Sequence, residues 1–272
     1  MTEHTRAHGR VAPRDLPGTR RTFAGPLGKS VELFVPAGTR RADALHLVIH
    51  FHGGAFLPEY AVSRLGGNAA VAVVNLAPGS GVYDRTFTDP AAFDSLLAAT
   101  TRELSAALGT PARVKRLTLV GFSAGHGAVR AILRTPRLFA RVNDVLLLDG
   151  MHTSYVPDRT PMADGGTLDT TNLAAFAEFA RAAARGEKRF LVTHSEIFPG
   201  TFASTTETAD WLLGALGLHR TPVLRWGPGG MQQLSEAHRG RFLLLGFAGN
   251  SAPDHIDHFQ GMGEFLKMLE KM

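Results

Sequence analysis

The fold of this chain is decided by residues 116–134, which read RLTLVGFSAGHGAVRAILR. The residues RLTLV predict a strand, and residues 124–134 predict a helix. Ser123 stands between Gly121 and Gly125 at the turn that joins the two. The glycines allow strand and helix to pack closely around a strained serine backbone. Such a turn raises the serine hydroxyl above the carboxyl edge of a sheet, at a helix N-terminus that favours developing negative charge.

Short apolar runs alternate with helical patterns along the rest of the 272 residues. This alternation predicts an α/β fold with a doubly wound, mostly parallel sheet of about eight strands and helices on both faces. The predicted strands are Arg20–Ala24, Lys29–Pro36, Leu45–Phe51, Ala70–Leu76, Arg116–Val120, Asp144–Leu148, Phe190–Thr193 and Arg241–Phe247. The predicted helices are Pro90–Leu108 (with Asp89 as its N-cap), Ala124–Arg134, Thr171–Arg185, Thr206–Leu216 and Ile256–Met272. The irregular segment 150–170 is too short for a cap domain, so a small flap or no cap is expected.

The chain is expected to form one domain over residues 21–272, preceded by a basic, flexible arm over residues 1–20. The net charge is +5, and much of the excess lies near the start of the chain. Because no recognition motif or aromatic–basic stripe accompanies this charge, it predicts a solvated tail and no nucleic-acid partner. No apolar run reaches the roughly 18 residues of a membrane span. The chain opens without a secretory signal, which predicts a cytoplasmic protein unless a signal has been removed.

A second glycine-rich segment, His50-Phe51-His52-Gly53-Gly54-Ala55-Phe56, follows a buried strand. Its glycines allow backbone N–H groups to point into a pocket and to hold an oxyanion. With this segment and the serine turn about 70 residues later, the chain resembles the α/β-hydrolase fold superfamily, and in particular its serine esterases and lipases with an HGG-type oxyanion loop and a nucleophile elbow. The resemblance covers the order of elements from Leu45 to the C-terminus. The third glycine of the loop is replaced by Ala55, so the loop departs from the full pattern.

The resemblance implies that Ser123 is the nucleophile. It also implies that the N–H group of Gly53 or Gly54, together with that of Ala124, forms the oxyanion hole. A serine hydrolase of this kind needs a histidine base after the last strand. Two candidates stand there, His255 and His258. His255 is preferred because it lies at the junction of loop and helix, whereas His258 lies one turn deeper in the helix.

The acid that orients the histidine follows the sixth or the seventh strand in this family. Asp149 ends the sixth predicted strand, and Glu196 follows the seventh. Asp149 is preferred because a short carboxylate at a strand end is rigidly placed. Asp210 is a third candidate. The expected catalytic set is therefore Ser123, His255 and Asp149, with Glu196 and His258 left open as alternatives.

Several histidines stand where strands end. They are His52, His126, His152, His194, His255 and His258. A cluster of imidazoles would suit a divalent metal ion, so a metal-dependent hydrolase is one alternative function. No metal or other cofactor is assigned, however, because the triad chemistry needs only one or two of these rings. The chain has no cysteine, which excludes disulfides, a cysteine nucleophile and thiolate metal sites.

The expected reaction is hydrolysis of a carboxylic ester through an acyl-enzyme intermediate. The expected substrate is a small molecule or a polymer end that carries an acyl group. The aromatic and apolar side chains near the predicted site are Phe51, Phe56, Tyr60, Tyr83, Met151 and Tyr155, and they are expected to line its pocket. A different class of function is a non-catalytic binding module built on the same fold. The intact serine, histidine and acid candidates argue against that alternative.

Overall fold

The computed structural model of the protein describes residues 7–272. Two compact units are distinguished. The first unit comprises residues 12–146 and 262–271, and the second comprises residues 147–261 together with residues 7–11 and 272. Within the described residues, no helix is both long enough and apolar enough to cross a lipid bilayer.

The described residues contain twelve strands, and ten of them take part in the main sheet. In chain order the strands are β1 (Gly18–Ala24), β2 (Ser30–Pro36), β3 (Leu45–Phe51), β4 (Ala69–Val74), β5 (Val114–Phe122), β6 (Asp144–Leu148), β7 (Tyr155–Val156), β8 (Thr167–Leu168), β9 (Arg189–His194), β10 (Thr221–Trp226), β11 (Gln232–Arg239) and β12 (Phe242–Phe247). The predicted α/β class with a large sheet flanked by helices is confirmed.

Nine α-helices lie in the described part of the chain. They are α1 (Phe56–Leu65), α2 (Ser80–Thr88), α3 (Pro90–Leu108), α4 (His126–Leu133), α5 (Pro136–Arg141), α6 (Ala174–Ala184), α7 (Thr205–Leu216), α8 (Ala252–Gln260) and α9 (Met262–Lys271). The predicted N-cap of α3 is confirmed, because the Asp89 carboxylate accepts a hydrogen bond from the Ala91 N–H at 2.9 Å.

In the first unit, strands β1, β2, β4, β3 and β5 are neighbours in that order. The β1–β2 hairpin and the β2–β4 pair are antiparallel, whereas β3 is parallel to both β4 and β5. Strand β3 is buried along almost its whole length, as expected for a strand rich in Leu, Ile, Val and Phe. The carboxyl ends of β3 and β5 therefore lie side by side, which brings the segments after Phe51 and Phe122 to the same edge.

In the second unit, strands β9, β12, β11 and β10 are neighbours in that order. The β9–β12 pair is parallel, and the β11–β12 and β10–β11 pairs are antiparallel. Strands β10 and β11 were not predicted, and they raise the strand number above the predicted eight. Their sequences, TPVLRW and QQLSEAHR, are largely exposed or half-buried, so they lack the apolar run or clean alternation that marks a buried strand.

Two further segments differ from the sequence predictions. The single helix predicted for Ile256–Met272 is wrong, because Gly261 separates α8 from α9. Segment 150–170 contains a two-stranded hairpin of β7 and β8. Of the predicted arm, residues 1–6 lie outside the described residues. Within the second unit, Nδ1 of His8 lies 2.7 Å from Oδ2 of Asp257 on α8. The division at residue 20 stays a prediction.

Candidate active site

Ser123 occupies a strained turn at the end of a strand. Strand β5 ends at Phe122, residues Ser123–Gly125 form one turn of 3-10 helix, and α4 follows. The φ angle of Ser123 is +47°, a left-handed value that residues with a side chain rarely adopt. Such strain persists only where the surrounding structure imposes it, and it is concentrated at functional sites. Ser123 is half-buried at this turn.

The packing around the turn explains both of its glycines. A Cβ atom on Gly125 would lie 2.0 Å from the carbonyl oxygen of Phe51 at the end of β3. A Cβ atom on Gly121 would lie 3.0 Å from the backbone nitrogen of His126. The Gly125 distance is shorter than any Cβ contact allows, and the Gly121 distance is so tight that the neighbouring backbone would have to shift. The glycines therefore permit the serine turn to pack directly against the segment that leads into Gly53 and Gly54.

His126 supports the same turn. Its side chain is buried, and its Nδ1 lies 2.8 Å from the carbonyl oxygen of Ser123. Because a carbonyl oxygen only accepts hydrogen bonds, Nδ1 carries the proton and donates it. This imidazole thus satisfies a backbone acceptor at the helix start, a structural use of a residue that the sequence offered as a metal ligand.

The predicted oxyanion loop also has an unusual backbone. The φ angles are +74° at His52 and +118° at Gly53. The Gly53 N–H donates to Oδ1 of Asn75 at 2.8 Å, and Nδ2 of Asn75 donates to the Gly53 carbonyl oxygen, also at 2.8 Å. The N–H of Gly54 takes part in none of the hydrogen bonds between residues 7–272. Of the two alternatives, only Gly54 therefore has an N–H that no protein acceptor occupies.

Two buried groups fix the residue before Gly53. Nε2 of His50 lies 2.8 Å from the His52 carbonyl oxygen and donates to it. Burial lowers the pKa of His50 to about 3, so its ring is neutral. Nδ1 of His52 lies 3.1 Å from the Tyr83 hydroxyl, and the Leu76 N–H donates to the same hydroxyl at 3.2 Å. Asn75 was not among the predicted site residues, although a polar residue directly after strand β4 was a signal for it.

In the second unit, Asp149 is a buried carboxylate with a full set of donors. It accepts from Ser195 N–H at 2.9 Å, from Ser195 Oγ at 2.8 Å and from Thr205 Oγ1 at 2.7 Å. Its fourth neighbour is Nδ1 of His255, at 2.7 Å. Burial opposes ionisation, but the nearby His258 and the hydrogen bonds from His255 and Thr205 outweigh it and hold the pKa of Asp149 below its usual value.

The two histidine candidates have different surroundings. His255 is half-buried and uses Nδ1 to contact Asp149, so its acid–base chemistry falls to Nε2. His258 is buried, its Nδ1 lies 2.8 Å from Thr193 Oγ1, and its ring meets Phe247 edge-on. Burial lowers the pKa of His258. The structure thus joins Asp149 to His255 and places His258 in the interior of its unit.

The alternative acids are occupied elsewhere or exposed. Glu196 is exposed to solvent. Asp210 is exposed and accepts from Nε of Arg220 at 2.7 Å. Neither of them has a hydrogen bond to His255 among the described residues, whereas Asp149 has one.

The six histidines that stand at strand ends do not form a metal-ligand group. His52 and His126 have the hydrogen-bond partners given above. His152 donates from Nδ1 to the Ala203 carbonyl oxygen at 2.9 Å, and His194 contacts Arg220. Within residues 7–272, the group with metal-ligand spacing consists of His8, Asp254 and Asp257, and Arg10 already pairs with Asp257 there. The geometry therefore gives no support to a metal-dependent hydrolase built on the strand-end histidines.

Most of the expected pocket residues lie in the interior. Phe51, Tyr83, Met151 and Tyr155 are each no more than 2% exposed, so they belong to the core. Phe56 and Tyr60 are half-buried on α1, directly after the oxyanion loop, and their rings stack at 6.2 Å. The prediction that all six line a pocket is wrong, because four of these side chains are buried in the core.

No family model matches the chain, and no curated protein matches it. Solved structures do match. Esterase 2 from Thermogutta terrifontis, phosphoramylated by tabun, has a TM-score of 0.51 and 16% identity over 95% of this chain and 97% of its own. An arylesterase has a TM-score of 0.53 and 15% identity over 95% of this chain and 87% of its own. The enterobactin esterase from Shigella flexneri has a TM-score of 0.53 and 12% identity over 97% of this chain and 61% of its own.

At these identities the likeness establishes the architecture alone. The similarity nevertheless extends over nearly the whole chain. The fold expected from the serine turn and the glycine loop is confirmed: this chain has the α/β-hydrolase fold.

Proposed function

We propose that this protein is a serine hydrolase that cleaves carboxylic esters with Ser123 as its nucleophile. The observation that carries the proposal is the left-handed backbone of Ser123, at φ +47°, between two glycines that close packing requires. A strained serine at a strand-to-helix turn exposes its hydroxyl and places it at a helix N-terminus. A serine with no catalytic role would not need this conformation, because a glycine would adopt it without strain.

The proposed base is His255, and the proposed acid is Asp149. The hydrogen bond from His255 Nδ1 to the ionised Asp149 fixes the tautomer of the ring and stabilises its cation. In the proposed mechanism, Nε2 accepts the Ser123 proton as Oγ attacks the acyl carbonyl. The protonated ring then gives this proton to the departing alcohol. Water attacks the acyl-enzyme in the same way, which releases the carboxylic acid and restores Ser123.

The proposed oxyanion donors are the N–H groups of Gly54 and Ala124. Gly53 is the less suitable member of the predicted set, because its N–H already donates to Asn75. One preorganised donor of this kind contributes about 3 kcal/mol to lowering the barrier. The proposed substrate is a small molecule or a polymer end with an acyl group. The stacked rings of Phe56 and Tyr60, which follow the loop, favour an apolar or aromatic group on it.

Labelling with a fluorophosphonate tests the proposal. Wild-type protein is expected to bind the probe covalently, and peptide mass spectrometry is expected to find it on Ser123. Ser123→Ala should lose labelling and ester hydrolysis while its circular dichroism spectrum stays that of the wild type. Ser63→Ala is the matched control, because Ser63 is a half-buried serine of the same unit on α1.

Activity is measured with p-nitrophenyl esters of graded acyl length, which also reports the size of the acyl group accepted. Hydrolysis by Ser123→Ala at the wild-type rate, or labelling of a different serine, would contradict the proposal.

A further inference from the structure

The turn after β3 holds a backbone that does not form by local preference. His52, a residue with a side chain, has φ +74°, and Gly53 follows at +118°. A left-handed residue with a Cβ costs on the order of 1 kcal/mol or more, so other groups must hold this turn in place. The direction in which the next N–H groups point depends on these two residues.

Asn75 supplies the main attachment. Strand β4 runs parallel to β3, with Val74 in register with Phe51, and the His52 N–H still donates to the Val74 carbonyl oxygen at 3.2 Å. One residue later the backbone ladder ends. The side-chain amide of Asn75 then bonds to both the N–H and the carbonyl oxygen of Gly53, each at 2.8 Å. The amide thus takes the place of a strand neighbour at the point where the loop leaves the sheet.

The attachment has a chemical consequence for the loop. With its N–H bound to Asn75, Gly53 has no N–H to offer an oxyanion. The next N–H along the loop is that of Gly54, where a Cβ would meet no atom within 4 Å. A loop held at Gly53 therefore leaves Gly54 as the next N–H group, and this N–H has no acceptor among residues 7–272. The serine turn packs against Phe51, three residues before Gly54.

We propose that Asn75 is a positioning residue of the oxyanion loop: it occupies the Gly53 N–H and thereby assigns oxyanion binding to Gly54. This inference rests on the proposed function. A carboxamide is required because it must accept from one backbone group and donate to another at the same residue. An alanine would release both, and an ionised aspartate would keep only the acceptor and add negative charge beside the oxyanion.

The closing experiment compares Asn75→Ala with Asn68→Ala. Asn68 directly precedes strand β4, at the end opposite to Asn75, and is half-buried like Asn75. Its side chain also forms hydrogen bonds to a loop backbone, at Arg40, Arg41 and Ala44. It is therefore a matched control for the loss of an asparagine that braces a loop. Asn75→Ala is expected to lower kcat for p-nitrophenyl esters by about 10- to 100-fold with KM within about threefold, whereas Asn68→Ala keeps kcat.

Two readouts separate positioning from a loss of stability. Hydrogen exchange of the Gly53 N–H should become faster in Asn75→Ala and stay slow in Asn68→Ala. In Asn75→Asp, the ratio of its kcat to that of the wild type should rise as the pH is lowered from 7 toward 4.5, which approaches the ordinary pKa of an aspartate, about 4. The neutral carboxyl group, unlike the carboxylate, can donate to the Gly53 carbonyl oxygen as the amide does. Taking the ratio of the two kcat values removes the effect of the histidine base, because both proteins share its titration.

The outcomes distinguish this inference from the proposed function. Labelling of wild-type Ser123 together with a kcat of Asn75→Ala within twofold of wild type would overturn the inference and leave the function standing. An unchanged exchange rate of Gly53 in Asn75→Ala would overturn it as well. Absence of both labelling and hydrolysis in the wild type would instead overturn the proposed function, and the inference with it.

Discussion

Nδ1 of His255 lies 2.7 Å from Oδ2 of Asp149, and the Asp149 carboxylate is almost completely buried. Two further residues, Ser195 and Thr205, donate to the same carboxylate. A buried charge is tolerable only when its oxygens are satisfied in this way. The arrangement therefore places an ionised acid at Nδ1 of the His255 imidazole. Its other nitrogen, Nε2, stays available to accept and donate a proton.

Replacing Asp149 by Asn tests the acid. An amide of the same shape cannot stabilise the imidazolium and can favour the wrong tautomer, so kcat for an ester is expected to fall by about 10⁴-fold. Glu196→Gln, the control on the exposed alternative acid, should stay within about twofold of wild type. Steady-state kinetics on both variants makes the comparison. A larger loss in Glu196→Gln than in Asp149→Asn would assign the acid to Glu196.

The two histidines of α8, His255 and His258, are expected to respond differently to substitution because their surroundings differ. His255→Gln is expected to lose turnover almost entirely, because glutamine does not accept and return a proton. His258→Gln is expected to keep most of its turnover but to unfold at a lower temperature, since the ring packs in the interior against Phe247. Kinetics and thermal unfolding are measured on both. The reverse pattern would identify His258 as the base.

The glycine at the end of the serine turn is expected to contribute strongly to the stability of the fold. A Cβ on Gly125 would lie 2.0 Å from the Phe51 carbonyl oxygen, so strand β3 would have to move. Gly125→Ala should lower the free energy of unfolding by about 3 kcal/mol. Gly38→Ala, where a Cβ meets no atom within 4 Å, should change it by less than about 1 kcal/mol. Urea denaturation followed by fluorescence measures both, and equal midpoints would refute the packing argument.

Stability is expected to depend on pH through buried imidazoles. Burial, with a contribution from Arg220, lowers the pKa of His194 from 6.5 to about 4. Between these two values the unfolded chain binds a proton at His194 that the folded chain does not. The free energy of unfolding should therefore decrease as the pH falls from 6.5 toward 4, and His50, with a pKa of about 3, acts in the same direction.

Urea midpoints of wild type and His194→Gln at pH 7.5 and pH 5 measure this effect. The drop in midpoint between the two pH values should be smaller in His194→Gln than in wild type. His238→Gln, on an exposed position of β11, should keep the wild-type drop. The same drop in all three proteins would show that His194 does not contribute.

The N-terminal segment is expected to stabilise the helix that carries His255. Arg10 pairs with the buried carboxylate of Asp257 on α8, beside the contact of His8 with the same side chain. Arg10→Ala removes one partner of the buried Asp257 carboxylate and should lower the free energy of unfolding by about 2 kcal/mol. Arg159→Ala, whose contact with Asp158 is exposed and 4.0 Å long, should cost less than about 0.5 kcal/mol. Thermal unfolding that ranks the two variants in the opposite order would contradict this role.

Buried elements were predictable from the sequence. Strand β3 and helix α3 begin and end where the patterns place them, because a mostly apolar run and an N-capped amphipathic repeat are strong local signals. Strands β10 and β11 were missed because they are largely exposed or half-buried, which removes the continuous apolar pattern of a buried strand. The break at Gly261 was missed because helical spacing of apolar residues continues on both sides of it.

By itself, the sequence determined the serine turn, the glycine loop and the alternation of strands and helices, since these follow from local chemistry and spacing. It left His255 and His258 as alternatives, and likewise Gly53 and Gly54. Tertiary structure decided that His255 contacts Asp149 and that Asn75 occupies the Gly53 N–H. The physical reason is that hydrogen bonds between residues distant in the chain depend on strand register and on which face of a helix is buried. Neither of these can be inferred from one segment of the sequence alone.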